Sequence, residues 1–272
     1  MQITESSSSS LLQVLQVDHL SEYVIGYPVY VVITLRSRSD TAFNRLVFAD
    51  LLDLRGCIGA EITLPNGRMS TKHIPKVVID PDYGLSGAPL GPGESRRMLS
   101  DVSPLFDVPM SEGEYRVRFL YASPDAIYAA PVVKMRFRKP TAAEASTLSK
   151  LAPDRTKSPN WGIWTTTRPN EPVYEGALQP NNPLVLNLLL RRLFYGRQPA
   201  NKIDPSVLDP LGGIYAPEGK ALKAEIYRAR GDQQNYEQLK AQILTDTPGL
   251  LWWIRMLDQG GGYITTFRPS VR

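Results

Sequence analysis

The sequence predicts an α+β chain in two parts: an antiparallel β-sandwich, then a small all-α domain. Three observations predict it. Up to residue 139, short segments alternate apolar and polar residues with period 2 and are punctuated by Pro and Gly. Beyond residue 182 the apolar spacing lengthens to that of helices, with capping residues at the expected ends. Between the two, Thr141-Ala142-Ala143-Glu144 is a capping box immediately after Pro140. The organisation that follows is a flexible leader at 1–11, the sandwich at 12–139, and a capped helix with a Pro/Trp-rich arm at 140–181. The helical domain spans 182–262 and a tail spans 263–272.

The strands come in order. A first strand lies near Val14 to Val17. Pro28 to Arg36 is the clearest, with Val29, Val31, Ile33 and Leu35 on one face and Tyr30, Val32, Thr34 and Arg36 on a half-covered other face. Ile58 to Leu64 ends in Pro65-Asn66-Gly67, a turn signal. Ile74 to Asp80 reads as a third strand, and residues 94–102 as a fourth. Glu114 to Tyr121 points Tyr115, Val117, Phe119 and Tyr121 one way and Arg116 and Arg118 the other. Val132 to Arg138 sends Val133, Met135 and Phe137 inward, alternating with Lys134, Arg136 and Arg138. About seven strands at this spacing, with no helix between them, fit an all-β sandwich.

Glu112-Gly113-Glu114-Tyr115 places an acid, a Gly and a Tyr at the start of a late strand. This resembles the tyrosine corner of immunoglobulin-like domains, in which the Tyr hydroxyl bonds back to the chain upstream. The layout of roughly residues 12–138 is similar to bacterial immunoglobulin-like domains of the macroglobulin or intracellular-proteinase-inhibitor sort. The paired cysteines of antibody domains are absent.

In the second half, a helix runs from the capping box to about Leu151. Residues 152–181 carry five prolines and two tryptophans and read as an extended arm. Asn182 caps a helix with Pro183 at its first position and Gly196 just past its end. Its LVLNLLLRRLF stretch is apolar around most of the circumference, so it is expected to be central. Asp204-Pro205 starts a helical turn. Pro217 starts a helix that ends at Gly231, Asp232 caps the next, and Thr247-Pro248 starts a last one stopped by Gly260-Gly261-Gly262. Residues 221–254 resemble a tetratricopeptide unit: a helix ending in Arg-Ala-Arg-Gly-Asp, a second helix, then Pro248. No second copy stands beside it, so the unit reads as a helical hairpin.

Composition bounds the function. Of 272 residues, 42% are hydrophobic and 21% charged, enough for a true core. The single cysteine, Cys57, cannot form an internal disulfide. No run of 18 apolar residues predicts a membrane span. The N-terminus lacks the basic start of a signal peptide, so a cytoplasmic location is expected, or a periplasmic or secreted one if a leader has been replaced. Net charge is +4; residues 1–140 hold 15 Lys+Arg against 15 Asp+Glu, and residues 141–272 hold 16 against 12. That excess is too mild for a nucleic-acid partner.

No catalytic, cofactor or metal site is read from the motifs. Cys57 and His73 lack the context of a nucleophile and its base, and His19 and His73 form no ligand cluster. Gly84, Gly87, Gly91 and Gly93 lie between strands rather than before a helix, which is the wrong place for a phosphate loop. Asp80 and Asp82 fit a turn. The expected function is therefore non-enzymatic binding of another protein, as a scaffold or accessory. A peptidase inhibitor or accessory subunit is the alternative, and an unfamiliar enzyme using Cys57 a second. Candidate partner-binding residues are Arg191, Arg192 and Arg197, which cluster at one helix end, and Trp161, Trp164, Trp252 and Trp253. Arg and Trp are the types most enriched at interface hot spots. One of the adjacent Trp252 and Trp253 is expected in the core, because a helix cannot bury both on one narrow stripe.

Overall fold

The computed structural model describes residues 3–4, 12–38, 43–47, 58–73, 88–106, 110–122, 127–151, 182–183, 186 and 199–260. The chain divides into two compact units, Met1–Trp161 and Gly162–Arg272. The division falls inside the segment read from sequence as the arm. The first unit is built mainly of strands and the second of helices.

In the first unit the strands are β1 (Ile3–Thr4), β2 (Leu12–Asp18), β3 (Glu22–Val24), β4 (Tyr30–Ser37), β5 (Phe43–Val47) and β6 (Ile58–Thr63). They continue with β7 (Met69–His73), β8 (Ala88–Leu90), β9 (Ser95–Asp101), β10 (Gly113–Ala122), β11 (Ile127–Ala129) and β12 (Val133–Arg138). A large sheet is centred on β10, which pairs with β6 on one side and with β12 and β11 on the other. β7 extends it beyond β6, and β3 extends it beyond β12. A second sheet runs β2-β4-β9, and β5 pairs with β8.

Alternation explains the layering. Val17, Val29, Val31, Ile33, Leu35 and Met98 from the second sheet join Tyr23, Ile58, Ala60, Ile62, Tyr115, Val117, Phe119, Tyr121, Met135 and Phe137 from the large one in a single buried cluster. Each Val, Ile, Leu, Met or Phe among them contributes roughly 1.5–3 kcal/mol by leaving water. Phe137 anchors the aromatic part, with Tyr23, Phe106 and Tyr115 around it at ring distances of 5.5, 5.1 and 5.0 Å. The far face of β4 is half-covered as its sequence suggests: Tyr30 and Val32 are buried, and exposure grows through Thr34 to Arg36.

Two sequence expectations need correction. The sheets are not antiparallel throughout, since β3 pairs with β12 and β1 with β11 in parallel. The cause is a switch of sheets: β2 pairs with β4, and only three residues later β3 joins the other sheet. The partner of β6 across the Pro65-Asn66-Gly67 turn is β7, which the sequence reading passed over because Met-Ser-Thr-Lys-His has no apolar alternation. The strand expected at 74–80 lies outside the described residues, as do Cys57, Asp80 and Asp82.

After β12 comes α1 (Ala142–Leu151). Its capping box forms as read: the Glu144 carboxylate accepts the Thr141 N–H at 2.8 Å, and the Thr141 hydroxyl accepts the Glu144 N–H at 3.3 Å. In the second unit, Pro183 and Leu186 are helical, and the Asn182 carbonyl accepts the Leu186 N–H. Asp204 caps a single 3-10 turn, Pro205–Leu208. Then follow α2 (Ala216–Arg230), α3 (Gln233–Asp246) and α4 (Leu251–Asp258). The α2–α3 hairpin turns on Gly231, whose φ is +75°; Gly231 N–H bonds to the Arg228 carbonyl and Asp232 N–H to that of Tyr227. That is a Schellman cap, and Asp232 goes on to cap α3 by accepting the Asn235 N–H. No helix among the described residues is long and apolar enough to cross a membrane.

Candidate functional site

The outer face of the large sheet concentrates exposed charge. On β10 and β12, Tyr115, Val117, Met135 and Phe137 go inward, so Glu114, Arg116, Arg118, Lys134, Arg136 and Arg138 must go outward. β6 adds Glu61 and Thr63, and β3 adds Glu22. Among the described side chains, five cations thus share the face with three acids. Most are paired: Arg118 with Glu61 at 3.8 Å, Lys134 with Glu114 at 3.1 Å, and Glu22 with both Arg136 at 3.4 Å and Arg138 at 2.8 Å. Lys134 and Arg136 keep 68% and 71% of their side-chain surface. Exposed pairs of this kind add little stability, typically under about 1 kcal/mol. The same face is apolar and buried toward the other end of β10, where Leu120 meets Ile127 and Ala129.

The charged end is braced. Arg138 grips Glu144 of α1 through both terminal guanidinium nitrogens at 2.6 Å each. That bond, with the Thr141 cap, holds the Glu144 carboxyl down at about 2. Most other α1 side chains are exposed, so this clamp is the principal described tie of the helix to the sheet.

In the second unit, Trp253 is fully buried and its indole N–H donates to the Ala221 carbonyl at 3.2 Å. It offers a partner no surface, so the expectation of a binding residue there is corrected: Trp253 packs α4 onto α2. Trp252 is half-buried, with its ring edge-on to Trp253 at 5.6 Å. Arg191, Arg192, Arg197, Trp161 and Trp164 lie outside the described residues.

Two features of this unit escaped the sequence reading. Glu218 and Glu225, seven apart on α2, are buried, and neither is without a polar partner. Tyr236 and Lys240, four apart on α3, both reach Asp258 at the end of α4; the Tyr236 hydroxyl donates at 2.7 Å and Lys240 at 2.9 Å. Spacing brings Tyr and Lys to one helix face, but only the fold supplies the acid. Burial, and then the Asp258 carboxylate, push the Tyr236 phenol well above its ordinary range, the opposite of what a proton-donating tyrosine needs. The trio is a tie between helices. Among the described residues no group of three or more His, Cys, Asp or Glu side chains is arranged to hold a metal ion.

No protein-family model matches the chain, and no curated protein matches it. Among solved structures it is similar to a β-glucosidase from Listeria innocua in complex with isofagomine, at 12% identity over 47% of this chain, with a TM-score of 0.27. The same enzyme in complex with glucose gives 15% identity over 46% of this chain and a TM-score of 0.25. The matches span only 16% and 15% of the β-glucosidase chains.

Proposed function

We propose that this is a non-enzymatic protein-binding protein, a scaffold or accessory, acting in the cytoplasm. The observation that carries the reading is the outer face of the large sheet, where Arg116, Arg118, Lys134 and Arg136 stand exposed or partly exposed on paired strands and contribute little to stability. Strands hold such side chains at fixed spacings, which favours recognition of one partner over many.

The first unit is read as an immunoglobulin-like sandwich. The bonds between Tyr115 and Ser111 support this, as does the chain's passage from one sheet to the other between β2 and β3. The α2–α3 hairpin with its Schellman cap supports a tetratricopeptide-like unit. Arg191, Arg192, Arg197, Trp161, Trp164 and the half-buried Trp252 remain candidates for a second contact surface.

Affinity capture from source-cell extract tests the reading. The full-length chain is compared with its R116E/R136E variant and with a heat-unfolded control. The expected result is a near-stoichiometric partner that the folded chain retains, and that both the variant and high salt release. Screening shortens the reach of charge from about 8 Å at physiological salt to about 3 Å at 1 M. If the folded chain retains nothing beyond the unfolded control, the proposal fails.

A further inference from the structure

One row across the large sheet combines two opposed cations with an exposed apolar residue. Across a register shift that follows the Ile62–Thr71 pair, Met69 of β7 lies opposite Thr63 of β6; Thr63 lies opposite Arg116 of β10, and Arg116 opposite Lys134 of β12. Directly opposed residues have Cβ atoms about 4.5–5.5 Å apart, and like charges so placed are destabilising. Lys134 is partly relieved by Glu114 at 3.1 Å. Among the described residues no acid stands at ion-pair distance from Arg116, whereas Arg118, Lys134, Arg136 and Arg138 each have one. At the other end of the row Met69 is 58% exposed, the most exposed of the large hydrophobic side chains described. The core needs neither the opposed cations nor the bare thioether.

We infer that this row is a docking line for an acidic, extended segment of a partner protein. A carboxylate of the segment bridges Arg116 and Lys134, and an apolar side chain lies on Met69. The inference rests on the protein-binding reading and specifies the partner's chemistry.

The spacing fixes the segment's pattern. Neighbouring strands are about 4.8 Å apart, so the midpoint between Arg116 and Lys134 lies roughly 12 Å from Met69. An extended chain advances about 3.3 Å per residue and turns alternate side chains to the same side. An apolar residue and an acid four positions apart therefore span roughly 13 Å and face the sheet together. A polyanion such as single-stranded nucleic acid fits less well. Glu61, Glu114 and Glu22 are interspersed among the cations and would repel a continuous run of phosphates, while a single carboxylate meets only the opposed pair.

The test uses the full-length chain and a fluorescein-labelled peptide of Gly and Ser bearing one Leu and one Glu four positions apart, read by anisotropy at low salt. The expected result is saturable binding that R116E and K134E each weaken about fivefold, the scale of one exposed charge pair. M69S and a peptide with Leu and Glu three apart should also bind more weakly. R116Q, which removes the charge without reversing it, should weaken binding in the same direction while the melting temperature holds or rises slightly, since the opposed charges are relieved. Binding indifferent to all of these substitutions overturns the docking line. So does tighter binding of an oligo-dT strand that competes with the peptide at this row. If the peptide does not bind while the chain still captures a cellular partner, the docking line is wrong and the protein-binding reading stands. If neither binds, both are wrong.

Discussion

Tyr115 and Ser111 hold each other twice: the Tyr115 hydroxyl donates to the Ser111 carbonyl at 2.9 Å and accepts the Ser111 N–H at 2.9 Å. The ring of Tyr115 is fully buried against Phe137, so its polar tip needs partners that the core cannot supply. Tyr115→Phe keeps the ring and removes both bonds. Ser111 is itself exposed, and water replaces part of what is lost. The expected cost is about 1–2 kcal/mol, at the lower end of the range for an orphaned polar group. A thermal melt of the full chain should show the transition of the β unit falling by several degrees while that of the helical unit stays. An unchanged melt would show that the corner fixes chain direction without adding stability.

Gly113 sits two residues upstream of that tyrosine with φ of +144°, and a Cβ there would come within 2.7 Å of the Pro65 ring. Gly113→Ala meets both a disfavoured backbone angle and a collision with the β6–β7 turn. It should cost more than Gly231→Ala, where φ is +75° but nothing lies within 4 Å of the added atom. A left-handed backbone alone costs roughly 1–2 kcal/mol. Combining Gly113→Ala with Pro65→Gly, which removes both ring atoms that lie within 2.8 Å of the added Cβ, should recover the steric part only. A double-mutant cycle by chemical denaturation measures that recovery, and strict additivity would show that the contact does not resist.

Glu144 answers both Arg138 and the Thr141 N–H, which hold its carboxyl at about 2, below its ordinary value of 4.5. A depressed folded value means stability that is present above the unfolded value and lost as pH falls through the folded one. The α1 tie should therefore persist through mild acid and weaken between about pH 4.5 and 2. Arg138→Ala should move the Glu144 carboxyl back toward its ordinary value in an NMR titration. Glu144→Ala, which removes cap and clamp together, should speed amide exchange across residues 142–151. Equal exchange in the variant would mean that α1 is held by something other than this clamp.

How much of this could be read from the chain depends on the kind of information. Alternation marked which side of β4, β10 and β12 faces the core, because burial imposes period 2. Caps marked Thr141, Asp204, Gly231 and Asp232, because orphan backbone groups demand specific residues there. Arg116 and Lys134 were both legible as outward residues, but not as opposed ones: alternation gives the face and leaves the register between strands open. β3 and β7 were missed because three residues are too few to show a period and a polar edge strand shows none. Glu218 and Glu225 look like ordinary surface acids in sequence, and only packing around α2 reveals their burial.

Trp252 and Trp253 are adjacent in sequence and differ in role. Trp253 has no exposed surface and bonds to Ala221, whereas Trp252 is half-buried. Trp253→Ala should cost about 3–5 kcal/mol, the range for deleting a core aromatic. Trp252→Ala should cost distinctly less. Trp253→Phe should fall between, because the Ala221 carbonyl loses only the indole N–H and most of the volume is kept. Urea unfolding followed by far-UV circular dichroism ranks the three. Equal costs for the two alanine variants would place both rings in the core and remove Trp252 from the candidate contact surface.

The Tyr236–Asp258–Lys240 tie gives the helical unit two pH limits. Asp258 is held below its ordinary value, first by the Tyr236 hydroxyl and then by Lys240. Its contribution is complete above the unfolded carboxylate value of about 3.9 and is lost as pH falls through the lower folded one. Tyr236 moves the other way: burial first, and then its bond to Asp258, raise the phenol. A raised folded value means stability that is complete below the unfolded value of about 10 and lost as pH rises toward the folded one, because the unfolded chain releases the proton more readily. Tyr236→Phe removes the titrating phenol and one of the bonds on Asp258. The alkaline loss of the helical unit above about pH 10 should then shrink, and the acid loss should be smaller and complete closer to the ordinary carboxylate value. Lys240→Met tests the other arm: it should raise the Asp258 carboxyl and leave the alkaline limb in place, since Asp258 still accepts from Tyr236. Tyr27, in the β unit, is also raised, chiefly by burial and then by the Glu144 charge, so the two units must be followed separately. Near-ultraviolet absorbance of tyrosinate against pH, read beside the helical melt, makes the comparison. If Tyr236→Phe leaves both limbs of the helical unit where they were, the tie contributes nothing to its pH dependence.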